Sequence, residues 1–340
     1  MQTTPPVVVN TWPFSNATDA AWEVLITKAL VDGVHLSGTA VSAVVAGCSV
    51  AEEDRNIKSV GYGTCPDEEG HTTLDALVMD GRTMEAGAVG AMPDIHEATQ
   101  VAREVMLSTR HTLLVGPHAT EFAKSRGFAV RSLDTPESHE LWQKWRDNKC
   151  QPNFRKSGAW IPDPSTCCGP YRPNFEMNST SYSSQSCPKT TVQEDNHDTI
   201  GMIALDAYGS MAVGVSTSGL RHKIPGRVGD TPVPGAGGYV DNEVGGAVGT
   251  GDGDVLMRFL LSFQAVQLMR SGLGPTAACE KSLQTVRQAG TWRGGLVALT
   301  KTGEYGAACH GFEKFEICVR SDSTGNATKI IPIPCMLSMS

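Results

Sequence analysis

The chain contains no stretch of eighteen apolar residues, which argues against a transmembrane helix. It carries no basic run, and 28 Lys and Arg against 36 Asp and Glu leave a net charge of −8, so nucleic acid is a poor partner for it. None of its ten cysteines forms a Cys-x-x-Cys pair, and its nine histidines show no ligand spacing, so no metal site is expected. His96-Glu97 lacks the second histidine of a zinc protease, and Asp252-Gly253-Asp254 lacks the remaining ligands of a calcium loop. Neither Gly235-Ala236-Gly237-Gly238 nor Gly249-Thr250-Gly251-Asp252-Gly253 completes the G-x-G-x-x-G spacing of a dinucleotide loop, and no cofactor is expected. Gly214-Val215-Ser216-Thr217-Ser218-Gly219 misses G-x-S-x-G by one position. No signal peptide is visible, since Val7-Val8-Val9 reads as a strand, and the expectation is a mature sequence whose targeting segment was removed or never included.

What is present suits a secreted or organellar protein. At 340 residues and 40% hydrophobic, the chain can bury a substantial core in one large domain or two. Ten cysteines suggest disulfides, and three sequons, at Asn16, Asn178 and Asn326, point toward the secretory pathway.

Strand signals and amphipathic helices alternate over the first 150 residues. Val7 to Val9 reads as a strand, Asp19 to Val31 as a helix, Leu74 to Met79 as a buried strand closed by Asp80-Gly81, and Thr112 to Val115 as a strand. Ile95, Ala98, Val101, Ala102 and Val105 have helical spacing. From Cys150 to Gln193 the composition turns to proline, serine, asparagine and cysteine, which predicts a loop region, partly disordered near its end. Ile200 to Leu205 and Met211 to Val215 flank Asp206-Ala207-Tyr208-Gly209 as a hairpin. One long helix is predicted from Asp254 with Leu256, Phe259, Leu260, Phe263 and Val266 as its apolar face; a second starts at Pro275, and a strand follows at Leu296 to Leu299. The pattern predicts an α+β layer protein. Periodicity alone does not separate a Rossmann-like arrangement from an αββα sandwich, although irregular alternation after residue 199 leans against the former.

Three sites could carry chemistry. Thr199 begins a strand directly after Asp198, so its hydroxyl could attack the Asp198 carbonyl and cut the chain. The new N-terminus would then hold a hydroxyl and an amine of pKa about 8 on adjacent carbons, a nucleophile with its own base. By itself His197-Asp198-Thr199 is more often a strand entry with an ordinary turn. Thr250 and Gly251 offer a hydroxyl and unhindered N–H groups before a helix N-terminus, as an oxyanion hole requires; a tight loop is the plainer reading. Arg227 and Asp230 present both charges of an amino-acid clamp within one glycine-rich loop, although for the pair taken alone a surface salt bridge is the better reading.

In combination these segments resemble the glycosylasparaginases (aspartylglucosaminidases), lysosomal members of the N-terminal nucleophile hydrolases. The resemblance covers nearly the whole chain. It rests on Val8-Val9-Asn10-Thr11-Trp12-Pro13-Phe14, Thr72-Thr73-Leu74-Asp75-Ala76, His111-Thr112-Leu113-Leu114-Val115-Gly116, His197-Asp198-Thr199-Ile200-Gly201-Met202, Gly226-Arg227-Val228-Gly229-Asp230, Pro234-Gly235-Ala236-Gly237 and Gly251-Asp252-Gly253-Asp254 with Leu256-Met257-Arg258-Phe259-Leu260. It implies a single four-layer αββα domain, made as a precursor that cleaves itself between Asp198 and Thr199 into α (1–198) and β (199–340) chains that pair as a dimer of αβ units. The implied substrate is a glycosylated asparagine, whose amide to N-acetylglucosamine is hydrolysed. Thr199 would be the nucleophile, Thr217 its contact, Thr250 and Gly251 the oxyanion hole, Arg227 and Asp230 the clamp, and Trp12 and Ser59 the pocket lining; His197 and Asp198 belong to processing. Cys150 with Cys168 and Cys309 with Cys335 sit where the resemblance places disulfides. Cys279 lacks its usual partner, which Cys318 could replace, and the pairing of Cys48, Cys65, Cys167 and Cys187 stays open. An L-asparaginase or isoaspartyl peptidase of the same superfamily is the nearest rival, and an unprocessed, non-catalytic secretory binding protein the rival of another class.

Overall fold

The computed structural model describes residues 5–31, 34–175, 199–287, 292–325 and 327–336. In chain order these form β1 (Val7–Thr11), α1 (Ser15–Ile26), the ribbon β2 (Lys28–Val31) and β3 (Val34–Ser37), α2 (Ala40–Glu53), β4 (Leu74–Asp80), β5 (Ala86–Met92), α3 (Ala98–Ser108), β6 (Leu113–Val115), α4 (Gly116–Ser125) and α5 (Pro136–Asp147). Two short strands follow, β7 (Trp160–Ile161) and β8 (Arg172–Pro173). The rest comprises β9 (Ile200–Leu205), β10 (Met211–Thr217), β11 (Gly238–Asp241), β12 (Gly245–Gly251), α6 (Gly253–Phe259), α7 (Leu261–Arg270), α8 (Pro275–Leu283), β13 (Gly294–Thr300), β14 (Tyr305–His310), β15 (Phe315–Ser321) and β16 (Lys329–Ile333). The fold is α+β.

An eight-stranded sheet runs β16-β15-β1-β9-β10-β4-β5-β6, and a four-stranded sheet runs β11-β12-β13-β14. Side-chain alternation assigns each face. In the large sheet Val8, Met202, Ala204, Ala212, Ala76 and Val78 join a core with Trp22 of α1, Val44 of α2 and Val101 of α3. The intervening residues, Val7, Val9, Ile203, Leu205, Val213, Val215 and Leu77, share a second core with Val248, Val297 and Leu299 of the small sheet. The small sheet turns Ala247, Leu296 and Ala298 to a third core with Leu256, Leu261, Val266 and Ala278 of α6 to α8. Period-2 strands apolar on both sides are thus buried on both sides.

The β9–β10 hairpin forms as expected, its turn closed by Asp206 Oδ1 accepting the N–H groups of Tyr208 and Ser210, both at 2.9 Å. Two helix expectations are corrected. The first helix spans Ser15–Ile26 rather than Asp19 to Val31, because Phe14 closes the Trp12-Pro13 turn and the chain re-enters a strand at Lys28. The long helix after Asp254 is two helices, broken at Leu260, whose φ of 51° is left-handed. Leu260 is therefore exposed, as Phe263 is, and the second helix turns Leu261, Ala265 and Val266 inward instead. Within the 150–175 loop, Cys150 and Cys168 form a disulfide with Cα atoms 5.2 Å apart, and Cys309 and Cys335 another at 4.5 Å. The Cys279–Cys318 pairing is overturned. Cys279 lies on α8 in the third core, Cys318 faces Thr18 of α1, and two sheets stand between thiols that a disulfide needs within about 7 Å between Cα atoms. Cys48, Cys65 and Cys167 are also free thiols. Cys187, Asn178, Asn326, His197, Asp198 and the predicted disorder toward Gln193 lie outside the described residues. Asn16 sits in the first turn of α1, and the sequon's Thr18 is buried, donating to Asn10 Oδ1.

Candidate active site

Strand register brings the site together. Antiparallel pairing of Asn10 with Met202 and of Ser216 with Ile200 places the ends of β1 and β10 on either side of Thr199. The end of β12 arrives from the small sheet with Thr250 and Gly251. Gly201 permits that approach, since a methyl there would stand 2.7 Å from Val248 Cβ.

Hydrogen bonds then fix each group. The Thr11 hydroxyl donates to the Thr199 carbonyl at 2.7 Å and accepts the Gly201 N–H at 2.9 Å, which pins the start of β9. Thr250 Oγ1 accepts the Thr199 N–H at 3.1 Å and the Trp12 indole N–H at 2.9 Å. An oxygen with both lone pairs engaged directs its own proton elsewhere, as a donor to an oxyanion must. Trp12 reaches it from a left-handed backbone, φ 63°, with its ring edge-on to Phe312 and Phe315. Thr217 Oγ1 donates to the Ser59 carbonyl at 3.2 Å and accepts the Gly219 N–H at 3.0 Å.

Thr199, Thr217, Gly219, Arg227, Asp230 and Gly251 line one small cleft. Ser59 stands behind Thr217, and its backbone carbonyl makes that contact. Trp12 borders a wider adjoining cavity of about 730 Å³, which Phe14, Lys58, Arg221 and Phe312 also line. The Arg227 guanidinium donates to Asp254 Oδ2 at 2.9 Å and is hemmed by glycines: methyls added at Gly229, Gly253 and Gly219 would stand 2.9, 3.0 and 3.3 Å from its nitrogens. Burial pushes the Asp230 carboxyl up to about 7 against the opposing pull of Arg227, and its Oδ2 has no hydrogen-bond partner among the described residues. A carboxylate so placed gains most from an incoming ammonium, and a guanidinium beside it from an incoming carboxylate.

Several contributors carry no sequence signal of their own. Lys223 is fully buried four residues before Arg227, where a lysine ordinarily reads as surface. Glu52 is buried behind Thr217: its Oε1 accepts the Ser216 hydroxyl at 2.6 Å and the Thr99 N–H at 2.9 Å, and burial pushes it up to about 7. Thr11 was visible only as part of a longer segment.

Comparison with known proteins identifies the family. The asparaginase family model matches residues 8–328. A Drosophila yakuba protein named putative N(4)-(beta-N-acetylglucosaminyl)-L-asparaginase is 46% identical over 333 residues, 97% of this chain and 82% of its own length. The mouse and rat N(4)-(beta-N-acetylglucosaminyl)-L-asparaginases are each 46% identical over 91% of this chain and 86% of their own lengths. The chain belongs to the asparaginase family.

Proposed function

We propose that the protein hydrolyses the amide joining N-acetylglucosamine to an asparagine side chain, as the names of its mouse and rat relatives describe for them. The observation that carries this reading is the convergence of Thr199, Thr250 and the Arg227–Asp230 pair on one cleft. The precursor cuts itself between Asp198 and Thr199, which turns the Thr199 N–H into a free amine. That amine takes the proton of the Thr199 hydroxyl, which attacks the side-chain carbonyl of the substrate. Negative charge developing on the carbonyl oxygen is met by the Thr250 hydroxyl and the Gly251 backbone. The glycosylamine leaves, and water releases aspartate from the threonine ester. Arg227 holds the substrate α-carboxylate and Asp230 its α-ammonium, whose charge returns the Asp230 carboxyl to its ionised form. Thr217 holds the cleft wall through Ser59 and Gly219, and Trp12 orients Thr250 while facing the wider cavity, where the sugar would sit.

The three cores fit the four layers of an αββα N-terminal nucleophile hydrolase, here read as one domain whose α and β chains remain intertwined through the β1–β9 pairing. Association into a dimer of αβ units, and a lysosomal location reached through the secretory pathway, belong to the same reading. The test measures release from N4-(β-N-acetylglucosaminyl)-L-asparagine and from L-asparagine side by side. Faster turnover of the glycosylated substrate, abolished by Thr199→Ala, is expected. Hydrolysis of asparagine or isoaspartyl peptides alone would assign the site to the asparaginase or isoaspartyl peptidase branch.

A further inference from the structure

A second cation stands behind the cleft wall. Lys223 is 1% exposed, and its ammonium donates to the Ser218 carbonyl at 2.8 Å and the Thr73 carbonyl at 3.4 Å. It forms no salt bridge among the described residues, an expensive arrangement for a buried charge. Between Lys223 and the cleft lies Gly219, which lines the cleft. A methyl on Gly219 would stand 3.0 Å from Lys223 Nζ and 3.3 Å from Arg227 Nη1, so both cations meet at a wall position that carries no side chain. Gly219 has φ 74°, a backbone that favours glycine, so the wall there stays one backbone thick.

We propose that Lys223 is a positioning residue for substrate recognition: its buried ammonium acts through the Gly219 window, with Arg227, to select an anionic α-carboxylate. Asp75 and Asp67 are the carboxylates whose charge acts on Lys223, and neither forms an ion pair with it. Asp75 accepts the Ala91 N–H at 2.7 Å and the Gly229 N–H at 3.5 Å, and Arg227 is shared with the exposed Asp254. An incoming carboxylate would add a negative charge on the cleft side of Gly219, within reach of both cations. Burial first, and then the proximity of Arg227, pull the Lys223 ammonium toward deprotonation, while Asp75 and Asp67 oppose them, so a bound carboxylate would also hold the proton in place.

This inference rests on the amino-acid clamp described above, and its test separates the two. Glycosylated asparagine and its α-carboxamide are compared as substrates of the processed enzyme and of Lys223→Met and Lys223→Gln. The wild type is expected to favour the α-carboxylate. In both neutral variants that preference should fall on the order of tenfold, through a higher KM for the carboxylate substrate with kcat and the carboxamide KM unchanged. Lys223→Arg should retain the preference. An equal loss on both substrates, an unchanged preference, or failure of both neutral variants to fold would make Lys223 a packing residue and overturn the proposal. A wild type without any preference would instead count against the clamp itself.

Discussion

Gly253→Ala offers a way to disturb the clamp without disturbing the fold. Gly253 is the first residue of α6 and has no left-handed backbone, so alanine fits its conformation and, in a helix, is preferred by up to about 1 kcal/mol. The added methyl, however, would lie 2.7 Å from Asp230 Oδ1 and 3.0 Å from Arg227 Nη2. Carbon and oxygen pack at about 3.5 Å or more, so both charged groups must retreat by several tenths of an ångström. Both are side-chain ends, and the Asp230 backbone N, 3.2 Å from the methyl, needs to give by only a few tenths of an ångström, so most of the cost falls on recognition rather than folding. Spoiling one charge-assisted hydrogen bond costs about 1.5–3 kcal/mol, or about 10- to 150-fold in binding. The clamp holds the same groups in the ground and transition states, so the loss should appear in KM, with kcat nearly unchanged. Steady-state kinetics on glycosylated asparagine, read beside a thermal melt, check both halves. An unchanged KM would show that the amino-acid end of the substrate does not bind between Arg227 and Asp230. A lower Tm with the raised KM would show that the close approach at Gly253 serves packing.

Thr250→Ala should fold normally, yet lose about 10²–10³ in kcat, as removal of one oxyanion donor does; near-normal turnover would remove Thr250 from the mechanism. Glu52, raised by burial from 4.5 to about 7, makes stability depend on pH. A carboxyl whose pKa is raised by folding contributes stability that is complete below about 4.5 and lost as pH rises through about 7, at most about 3 kcal/mol. Glu52→Gln, which keeps an acceptor for Ser216 and Thr99, should therefore melt increasingly above the wild type as pH goes from 5 to 8. A constant difference would deny the linkage. Peptide mapping under non-reducing conditions should find Cys150–Cys168 and Cys309–Cys335 linked and Cys279 and Cys318 both alkylated; a Cys279–Cys318 peptide would contradict the placement of two sheets between them.

The sequence revealed most where the physics is local. Val7 to Val9, Leu74 to Met79 and the hairpin around Asp206 show their strands through composition and turn chemistry. Pro275 marks its helix by suiting a first turn. The break at Leu260 is hidden because every residue from Leu256 to Val266 fits a helix, while the start of α7 is bonded to the distant Gly235 and Ala236 carbonyls through the Phe263 N–H and the Ser262 hydroxyl. Functional residues split the same way. Thr199, Thr250, Arg227 and Asp230 stood out by residue type and loop context. Lys223 and Glu52 did not, since a lone lysine or glutamate reads as surface until the fold buries it. Trp12 was expected only as pocket lining; its bond to Thr250 joins residues 238 positions apart and exists only in three dimensions.

The central claim is that Thr199 becomes a free N-terminus, and intact-mass analysis of the purified protein addresses it most directly. Two species are predicted, one of them beginning at Thr199, and a single uncut species for Thr199→Ala. A wild-type protein that hydrolyses glycosylated asparagine while remaining one uncut chain would contradict the account.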